Sequence, residues 1–140
     1  MRFQLVSAQG KKYDDEAYEV LVPTKDGTIA VLQDHMPLIS AATGGVVSVR
    51  VKSSDRDPDM LHFAVGGGVM QVDGKTLVFL SDDVTASQDV SEKEAEAALA
   101  RAQELINNAS NRTQLNEAHR LLHHSRAQLH IASLKKRHHN

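Results

Sequence analysis

TLVFLSDDVTASQDVSEKEAEAALA, residues 76–100, is where the sequence changes from one kind of structure to another. Its first five residues, Thr76 to Leu80, include valine and phenylalanine and favour a strand. After a short polar stretch, Ser91 begins an alanine- and glutamate-rich segment that is typical of a helix. The chain therefore has a strand-forming part before about residue 88 and a helical part after it.

Amino-acid composition also changes near residue 88. Residues 1–88 contain all 3 prolines, all 8 glycines and all 5 aromatic residues of the 140-residue chain, and residues 89–140 contain none of them. Glycine and proline interrupt helices and form turns, so their concentration indicates short strands joined by turns. We therefore expect a β-domain over residues 1–88 and an α-helical hairpin over residues 89–140.

Short strands with one buried face account for the first part. Val47, Val49 and Val51 alternate with polar residues, as in a sheet with one face in the core. Asp26-Gly27 and Asp73-Gly74 are typical of tight hairpin turns. Strands are predicted over seven segments: Phe3–Ala8, Tyr18–Thr24, Thr28–Leu32, Val46–Val51, Leu61–Val65, Val69–Val72 and Thr76–Leu80. Together with the hairpin, they indicate an α+β fold with an antiparallel β-sandwich or flattened barrel.

The second part is predicted to form two antiparallel helices. Ser91 and Glu94 make a capping-box pair at the start of a helix of about four turns. The asparagine-rich residues 107–111 allow the chain to reverse before a second helix over about Thr113–Lys136. Small residues are frequent in both apolar stripes, which are Ala95, Ala98, Leu99, Ala102, Leu105 and Ile106, and then Leu115, Ala118, Leu122, Ser125, Leu129 and Ala132. Such stripes bury little area, so we expect the hairpin to dock weakly and to be detachable.

Charge is distributed unevenly between the two parts. The chain has 16 Lys and Arg against 18 Asp and Glu, a net charge of -2 that argues against nucleic-acid binding. Residues 1–88 carry 8 basic and 12 acidic groups, net -4, and residues 89–140 carry 8 and 6, net +2. From Ile106 onward, six basic residues are accompanied by the single acid Glu117. These cations either coat a solvated helix face or bind an acidic protein partner.

The sequence gives little support for an independent enzyme. It has no cysteine and no Gly-x-Ser-x-Gly elbow, and His35 and His62 lack evident serine and acid partners. His119 and His123 have the spacing of helical metal ligands, but polar-face histidines are the more ordinary interpretation and we predict no metal. Gly66-Gly67-Gly68 lacks the lysine of a phosphate-binding loop, so we expect a bulge or close strand packing there. No apolar stretch approaches the roughly 20 residues of a membrane span.

Five motifs, in order along the chain, resemble one protein family. They are Val6-Ser7-Ala8; the Gly-x-x-x-Val-Leu-x-x-His-x-Pro-Leu run of residues 27–38; Gly45-Val46-Val47-Ser48-Val49; Val65 to Val72; and Leu77 to Asp82 before an alanine-rich helical tail. Together they resemble the epsilon subunit of the bacterial F-type, proton-translocating ATP synthase. The ordered set spans nearly the whole chain and is far rarer than any one motif.

The resemblance implies a non-catalytic role in a rotor. A subunit of this family belongs to the central stalk, where its sandwich joins the gamma subunit to the membrane c-ring and helps couple proton flow to ATP synthesis. When its basic hairpin extends, the hairpin meets the α/β catalytic head and opposes ATP hydrolysis. The resemblance further implies no cofactor, no membrane insertion, and a peripheral position on the cytoplasmic face of the plasma membrane.

Candidate contact residues follow from the same resemblance. Thr28, Asp34, His35 and Met36 are the candidates for contact with the c-ring or gamma. The family usually reads Pro-Gly-His-x-Pro where this chain has Gln33-Asp34-His35-Met36-Pro37, and it often has an acid in place of Thr28. We expect Asp34 to adopt a left-handed conformation at the glycine position. The candidates for the inhibitory contact with an acidic segment of the β-subunits are Arg112, Arg120, Arg126, Lys135, Lys136 and Arg137.

Nucleotide binding is not expected in the hairpin. Some members of the family bind ATP through an Ile/Leu-Asp-x-x-Arg-Ala motif. In this chain Ser91 stands in place of the aspartate and Glu94 in place of the arginine. A carboxylate at that position repels phosphate, whereas a guanidinium would bind it.

Two other functional classes stay open at this point. A free-standing β-sandwich binding module with a helical oligomerisation tail needs no gamma partner, and its solution mass would distinguish it from a stalk subunit. A metal-dependent hydrolase would need His119 and His123, and metal retained after chelation would identify it.

Overall fold

The computed structural model describes residues 1–139, without the side chains of Gln88 and residues 135–139. Eight strands precede two long helices along this part of the chain. The strands are β1 Arg2–Ser7, β2 Gly10–Glu16, β3 Glu19–Thr24, β4 Gly27–Leu32, β5 Leu38–Arg50, β6 Leu61–Val72, β7 Thr76–Ser81 and β8 Val84–Ala86, and the helices are α1 Glu92–Asn107 and α2 Arg112–His139. The predicted α+β class, a β-sandwich followed by a helical hairpin, is confirmed, but the sheet is not wholly antiparallel as predicted, because β1 and β7 pair in parallel.

The strands form one open sheet that folds over its own core. Their order is β2-β1-β7-β6-β5-β3-β4, with β8 paired to β6. Near its end, β5 pairs with β3 through Ser48–Arg50, whereas the end of β6 pairs with β7 through Gly68–Val72. The two long strands therefore belong to both layers of the sandwich. Buried side chains from both layers meet in a single core that includes Phe3, Leu5, Val20, Val22, Val47, Val49, Met70, Leu77 and Phe79.

Glycines form the corner at which β5 and β6 pass between the layers. Gly44 lies opposite Gly66, and Ala42 lies opposite Gly68. Gly68 has a positive φ, and a Cβ at this position would collide with the carbonyl oxygen of Leu80. The close strand packing predicted for Gly66-Gly67-Gly68 is confirmed.

The strand predictions were wrong in four places. Strand β2 was missed because Lys11 to Glu16 are mostly charged, which suits an exposed edge strand. The three-residue strand β8 was missed as well. The beginning of β5 was not predicted, and β6 was divided in two, because glycines 44–45 and 66–68 resemble turn residues when their partner strand is unknown.

The helix boundaries agree with their sequence signals. The Glu94 backbone N–H donates to Ser91 Oγ at 3.3 Å, which caps the start of α1. The Gln114 N–H donates to Asn111 Oδ1 at 2.8 Å at the start of α2, so the predicted reversal in residues 107–111 is confirmed. The expected domain boundary at residue 88 falls in a short turn between β8 and α1, and the independence of the two parts stays a prediction. Within residues 1–139 no helix is long and apolar enough to cross a membrane.

Candidate interaction surfaces

The loop of residues 33–37 joins β4 to β5 at one end of the sandwich. The His35 N–H donates to the Leu32 carbonyl at 3.1 Å and closes a four-residue turn. Asp34, at its third position, has a φ of 65°, so the left-handed conformation expected there is confirmed. The Asp34 N–H donates to the Gly74 carbonyl at 2.8 Å and ties the loop to the β6–β7 turn. The loop therefore presents a defined backbone shape to a partner.

Three of the four loop candidates lie together and the fourth lies apart. Asp34, His35 and Met36 are consecutive, and Met36 is highly exposed. Thr28 pairs with Pro23 near the start of β4, at the opposite end of that strand from the loop. There it lines a cavity beside α2 with Arg126 and His130. A single surface thus contains Asp34, His35 and Met36 without Thr28.

An exposed apolar surface lies on the strands next to this loop. Val69 and Leu80 lie opposite each other on β6 and β7, with 48% and 53% of their surface exposed. On β5, Ala41 lies opposite Val69. Ile39, two residues earlier on β5, is a diagonal neighbour of Val69 and has 72% of its surface exposed. We call Ile39, Ala41, Val69 and Leu80 the outer apolar patch. Contiguous exposed apolar side chains across three strands are typical of a protein-binding surface.

The outer apolar patch was missed in the sequence analysis. The sequence does contain a signal for this patch. Ile39 and Ala41 are apolar residues that point to solvent from β5, although the opposite face of that strand already packs on the core. The signal was unreadable because the beginning of β5 was not recognised as a strand.

Two different faces of α2 are buried. Ala118, Leu122 and Ser125 belong to the stripe that was predicted to pack against α1, and all three are buried as expected. A second face, which was not predicted, contacts the sandwich, where Ala127 and Ile131 pack against Ala64 of β6. The helix is thus held from two sides.

The contact between α2 and the sandwich is small. Ile131 is its one fully buried large side chain among the residues described in that cluster. Gln128 Nε2 donates to Thr85 Oγ1 at 3.0 Å, and the Arg120 guanidinium lies 3.2 Å from the Asp82 carboxylate. Both partners of this ion pair are well exposed, and such pairs contribute at most about 1 kcal/mol. Weak docking of the hairpin stays a prediction.

Arg112 and Arg126 lie in the sector between the two buried faces of α2, whereas Arg120 lies on the face that contacts the sandwich, where it pairs with Asp82. Arg112, Arg120 and Arg126 are exposed and lie within about 120° of the helix circumference at 100° per residue. The rings of His119 and His123 stack in the same sector, with centroids 6.5 Å apart. The other three candidates, Lys135, Lys136 and Arg137, have side chains outside the described residues. Among described side chains, no three His, Asp or Glu residues come together as metal ligands.

The remaining candidates, Ser91 and Glu94, lie in the first turn of α1. Ser91 Oγ is used in the cap, and Glu92 and Glu94 place two carboxylates beside it. Negative charge at this helix end interacts favourably with the helix dipole, so the turn has an ordinary structural explanation.

Comparison with protein-family models gives a match over most of the chain. A family model described as the β-sandwich domain of the ATP synthase delta/epsilon chain matches residues 1–99. Among curated relatives, the ATP synthase epsilon chain 1 of Methylococcus capsulatus is 31% identical over 129 residues, which are 92% of this chain and 89% of the relative. The epsilon chain of Gloeobacter violaceus is 28% identical over 132 residues, 94% of this chain and 96% of the relative.

Solved structures share the fold at low sequence identity. A chain in a structure of the Euglena gracilis mitochondrial ATP synthase matches with a TM-score of 0.74 at 13% identity, covering 94% of this chain and 79% of that one. A chain in the central stalk and c-ring structure of the Tetrahymena thermophila enzyme matches with a TM-score of 0.60 at 15% identity, covering 91% of this chain and 92% of that one. At these identities the likeness shows the fold alone.

Proposed function

This chain belongs to the ATP synthase delta/epsilon family, as its motifs predicted, and we propose that it works as the non-catalytic epsilon subunit in the rotor of an F-type ATP synthase. The observation that carries the proposal is 31% identity to an epsilon chain over 92% of this chain, through the sandwich and into the hairpin. In this role the sandwich couples rotation of the c-ring to ATP synthesis. The chain is held at the cytoplasmic face of the membrane through its partners.

The loop and the outer apolar patch supply two neighbouring binding surfaces. Asp34, His35 and Met36 meet the polar surface of the c-ring, while the outer apolar patch packs against gamma. This division is supported by chemistry, because the loop is short and fixed and presents Asp34 and His35 beside Met36, whereas the patch offers the larger apolar area that a lasting subunit contact requires. Thr28 lies beside α2 and joins neither surface.

The hairpin acts as an inhibitory arm. The small contact of α2 with the sandwich allows release, and the sector of Arg112, Arg120 and Arg126 then binds an acidic segment of the catalytic head. We assign Lys135, Lys136 and Arg137 to the same contact on their charge alone. The carboxylates of the first turn of α1 keep ATP from binding at the position of the family motif.

Removal of the arm tests its inhibitory role. A chain ending at Val90 retains every strand, so the complex should assemble and its ATP hydrolysis should rise. A full-length chain with Arg112, Arg120 and Arg126 all changed to Gln should raise hydrolysis in the same direction. Unchanged hydrolysis in both complexes would contradict inhibition by the arm, without affecting the placement in the rotor.

Charge placed on the outer apolar patch tests the gamma contact. Val69→Glu should abolish co-purification of the chain with gamma, because a carboxylate would be buried without a partner. Leu61→Glu is the matched control, since Leu61 is an exposed residue of the same strand, outside the patch. If Val69→Glu binds gamma as well as the control does, gamma uses another surface.

A further inference from the structure

A groove of about 630 Å³ adjoins the outer apolar patch. Val69 and Leu80 belong to both surfaces, because these two patch residues also line the groove. Asp82, which follows β7, and Arg120 of α2 line the same groove. The groove is therefore continuous with the patch and reaches from it to the docked hairpin. A partner that covers the patch can extend a side chain into this space.

The serine hydroxyl groups in the groove already have partners within the sandwich. Ser7 and Ser81 are both buried. Ser81 Oγ donates to the Gly67 carbonyl, and Ser7 Oγ donates to the Gly10 carbonyl at 3.3 Å. Each hydroxyl has one hydrogen to donate, so these donors are used by the sandwich itself. Charged side chains are what remain for a partner to bind in the groove.

The charged side chains of the groove are Asp82 and Arg120, which pair with each other. Their side-chain atoms are 3.2 Å apart, and 77% of the Asp82 side chain and 57% of the Arg120 side chain stay exposed. Because the Asp82 carboxylate is so exposed, a second cation can approach it from solvent. Asp82 belongs to the sandwich and Arg120 to the hairpin, so release of the hairpin leaves this carboxylate without the arginine.

We propose that gamma, seated on the outer apolar patch, places a basic side chain in this groove against Asp82 and competes there with Arg120. The inference rests on the proposed function, because it takes gamma as the partner on the patch. The Asp82 carboxylate attracts such a side chain, and Arg120 repels it while the hairpin is docked. Gamma binding and hairpin docking therefore weaken each other, and by linkage they do so by the same factor. An exposed ion pair changes an equilibrium constant by at most about fivefold, which sets the size of this coupling.

Two substitutions that break the same ion pair should change gamma binding in opposite directions. Asp82→Asn removes the group that holds the basic side chain and should weaken gamma binding by up to about fivefold. Arg120→Gln removes the competing cation and should strengthen gamma binding by up to about fivefold. If the ion pair served only to dock the hairpin, both variants would shift the affinity in the same direction. Calorimetric titration of each full-length variant with gamma measures the difference.

Matched controls separate the groove from the charge of the whole chain. Asp26→Asn and Arg101→Gln remove one charge of each sign at exposed positions outside the groove. Both controls should bind gamma as the natural chain does. The proposal requires opposite shifts for Asp82→Asn and Arg120→Gln that exceed those of the controls, and any other pattern overturns it.

Hydrogen exchange measures the same coupling from the side of the hairpin. Binding of gamma should make exchange in α2 faster in the natural chain, and this effect should be smaller in Asp82→Asn. Unchanged or slower exchange in α2 on binding gamma would contradict the competition.

The outcome at the patch distinguishes failure of this inference from failure of the proposed function. If Val69→Glu prevents gamma binding while Asp82→Asn and Arg120→Gln match their controls, gamma binds the patch and only the competition in the groove is refuted. If Val69→Glu binds gamma as well as Leu61→Glu does, gamma uses another surface and both proposals fail.

Discussion

Asp34 shows how one residue fixes the shape of the candidate ring-facing loop. Its φ of 65° lies in the left-handed region, which costs most residues about 1 kcal/mol and glycine almost nothing. Aspartate tolerates this region better than alanine because its short polar side chain forms local hydrogen bonds. The N–H of Asp34 is held by Gly74, so the loop keeps this conformation.

Substitution of Asp34 should therefore change stability in a residue-specific way. We expect Asp34→Gly to stabilise the chain by up to about 1 kcal/mol and Asp34→Ala to destabilise it by about 1 kcal/mol. Urea unfolding of the full-length chain measures both. Gln33→Ala is the neighbouring control. A stabilising Asp34→Ala would show that the left-handed conformation is not the constraint.

At the scale of elements, glycine allows β5 and β6 to turn the corner of the sandwich. Gly68 is required for two reasons, its positive φ and the absence of room for a Cβ next to Leu80. Gly27 also has a positive φ, but open space surrounds it. A substitution at Gly27 therefore measures the cost of backbone strain alone, whereas a substitution at Gly68 adds the cost of a steric collision.

Gly68→Ala should accordingly be far more damaging than Gly27→Ala. We expect the loss in unfolding free energy to be about 1 kcal/mol for Gly27→Ala and more than about 3 kcal/mol for Gly68→Ala. Thermal or urea unfolding decides the comparison. Similar losses at the two positions would mean that strands β6 and β7 move apart easily, against the packing described above.

Helix α2 is held to the sandwich mainly by Ile131. Truncating a fully buried isoleucine removes about 2–5 kcal/mol, which is large compared with the rest of this contact. Ile131→Ala should therefore release the hairpin and leave the sandwich folded. Hydrogen exchange should become faster in α2 and stay unchanged in the core of β6. Leu105→Ala, at an exposed position of α1, is the control. Equal protection of α2 from hydrogen exchange in the two variants would contradict the prediction.

At the scale of the whole molecule, two carboxylates link the stability of the sandwich to pH. Hydrogen bonds from the N–H groups of Thr76 and Lys75 hold the pKa of Asp73 below its ordinary value. Bonds from Lys11, and then from Arg2, lower the pKa of Asp14 in the same way. A lowered folded-state pKa contributes stability that is complete above the unfolded-state pKa and is lost as the pH falls through the folded-state value.

Acid should therefore destabilise the chain below about pH 4. The double variant Asp14→Asn, Asp73→Asn should be less stable than the natural chain at neutral pH, because the charged acceptors are gone. Its stability should also fall less steeply between about pH 4 and pH 2. Urea midpoints at a series of pH values measure the two slopes. Parallel slopes would show that other groups control the acid transition.

Local signals determined much of this protein before its structure was known. The change from strands to helices near residue 88, the cap at Ser91, the reversal before α2, the stripe of α2 that packs on α1 and the left-handed Asp34 each depend on residues close together in the chain. Propensity, capping and side-chain periodicity act over a few residues and can be read in order.

Only the tertiary structure decided which distant segments meet. The continuity of β5 and β6 through their glycines, the edge strand β2, the second buried face of α2 and the separation of Thr28 from the loop all depend on pairing across the fold. The same pairing assembles the outer apolar patch from three strands. The sequence next to a residue does not specify such distant partners, because the register of a sheet and the docking face of a helix depend on how the entire core packs.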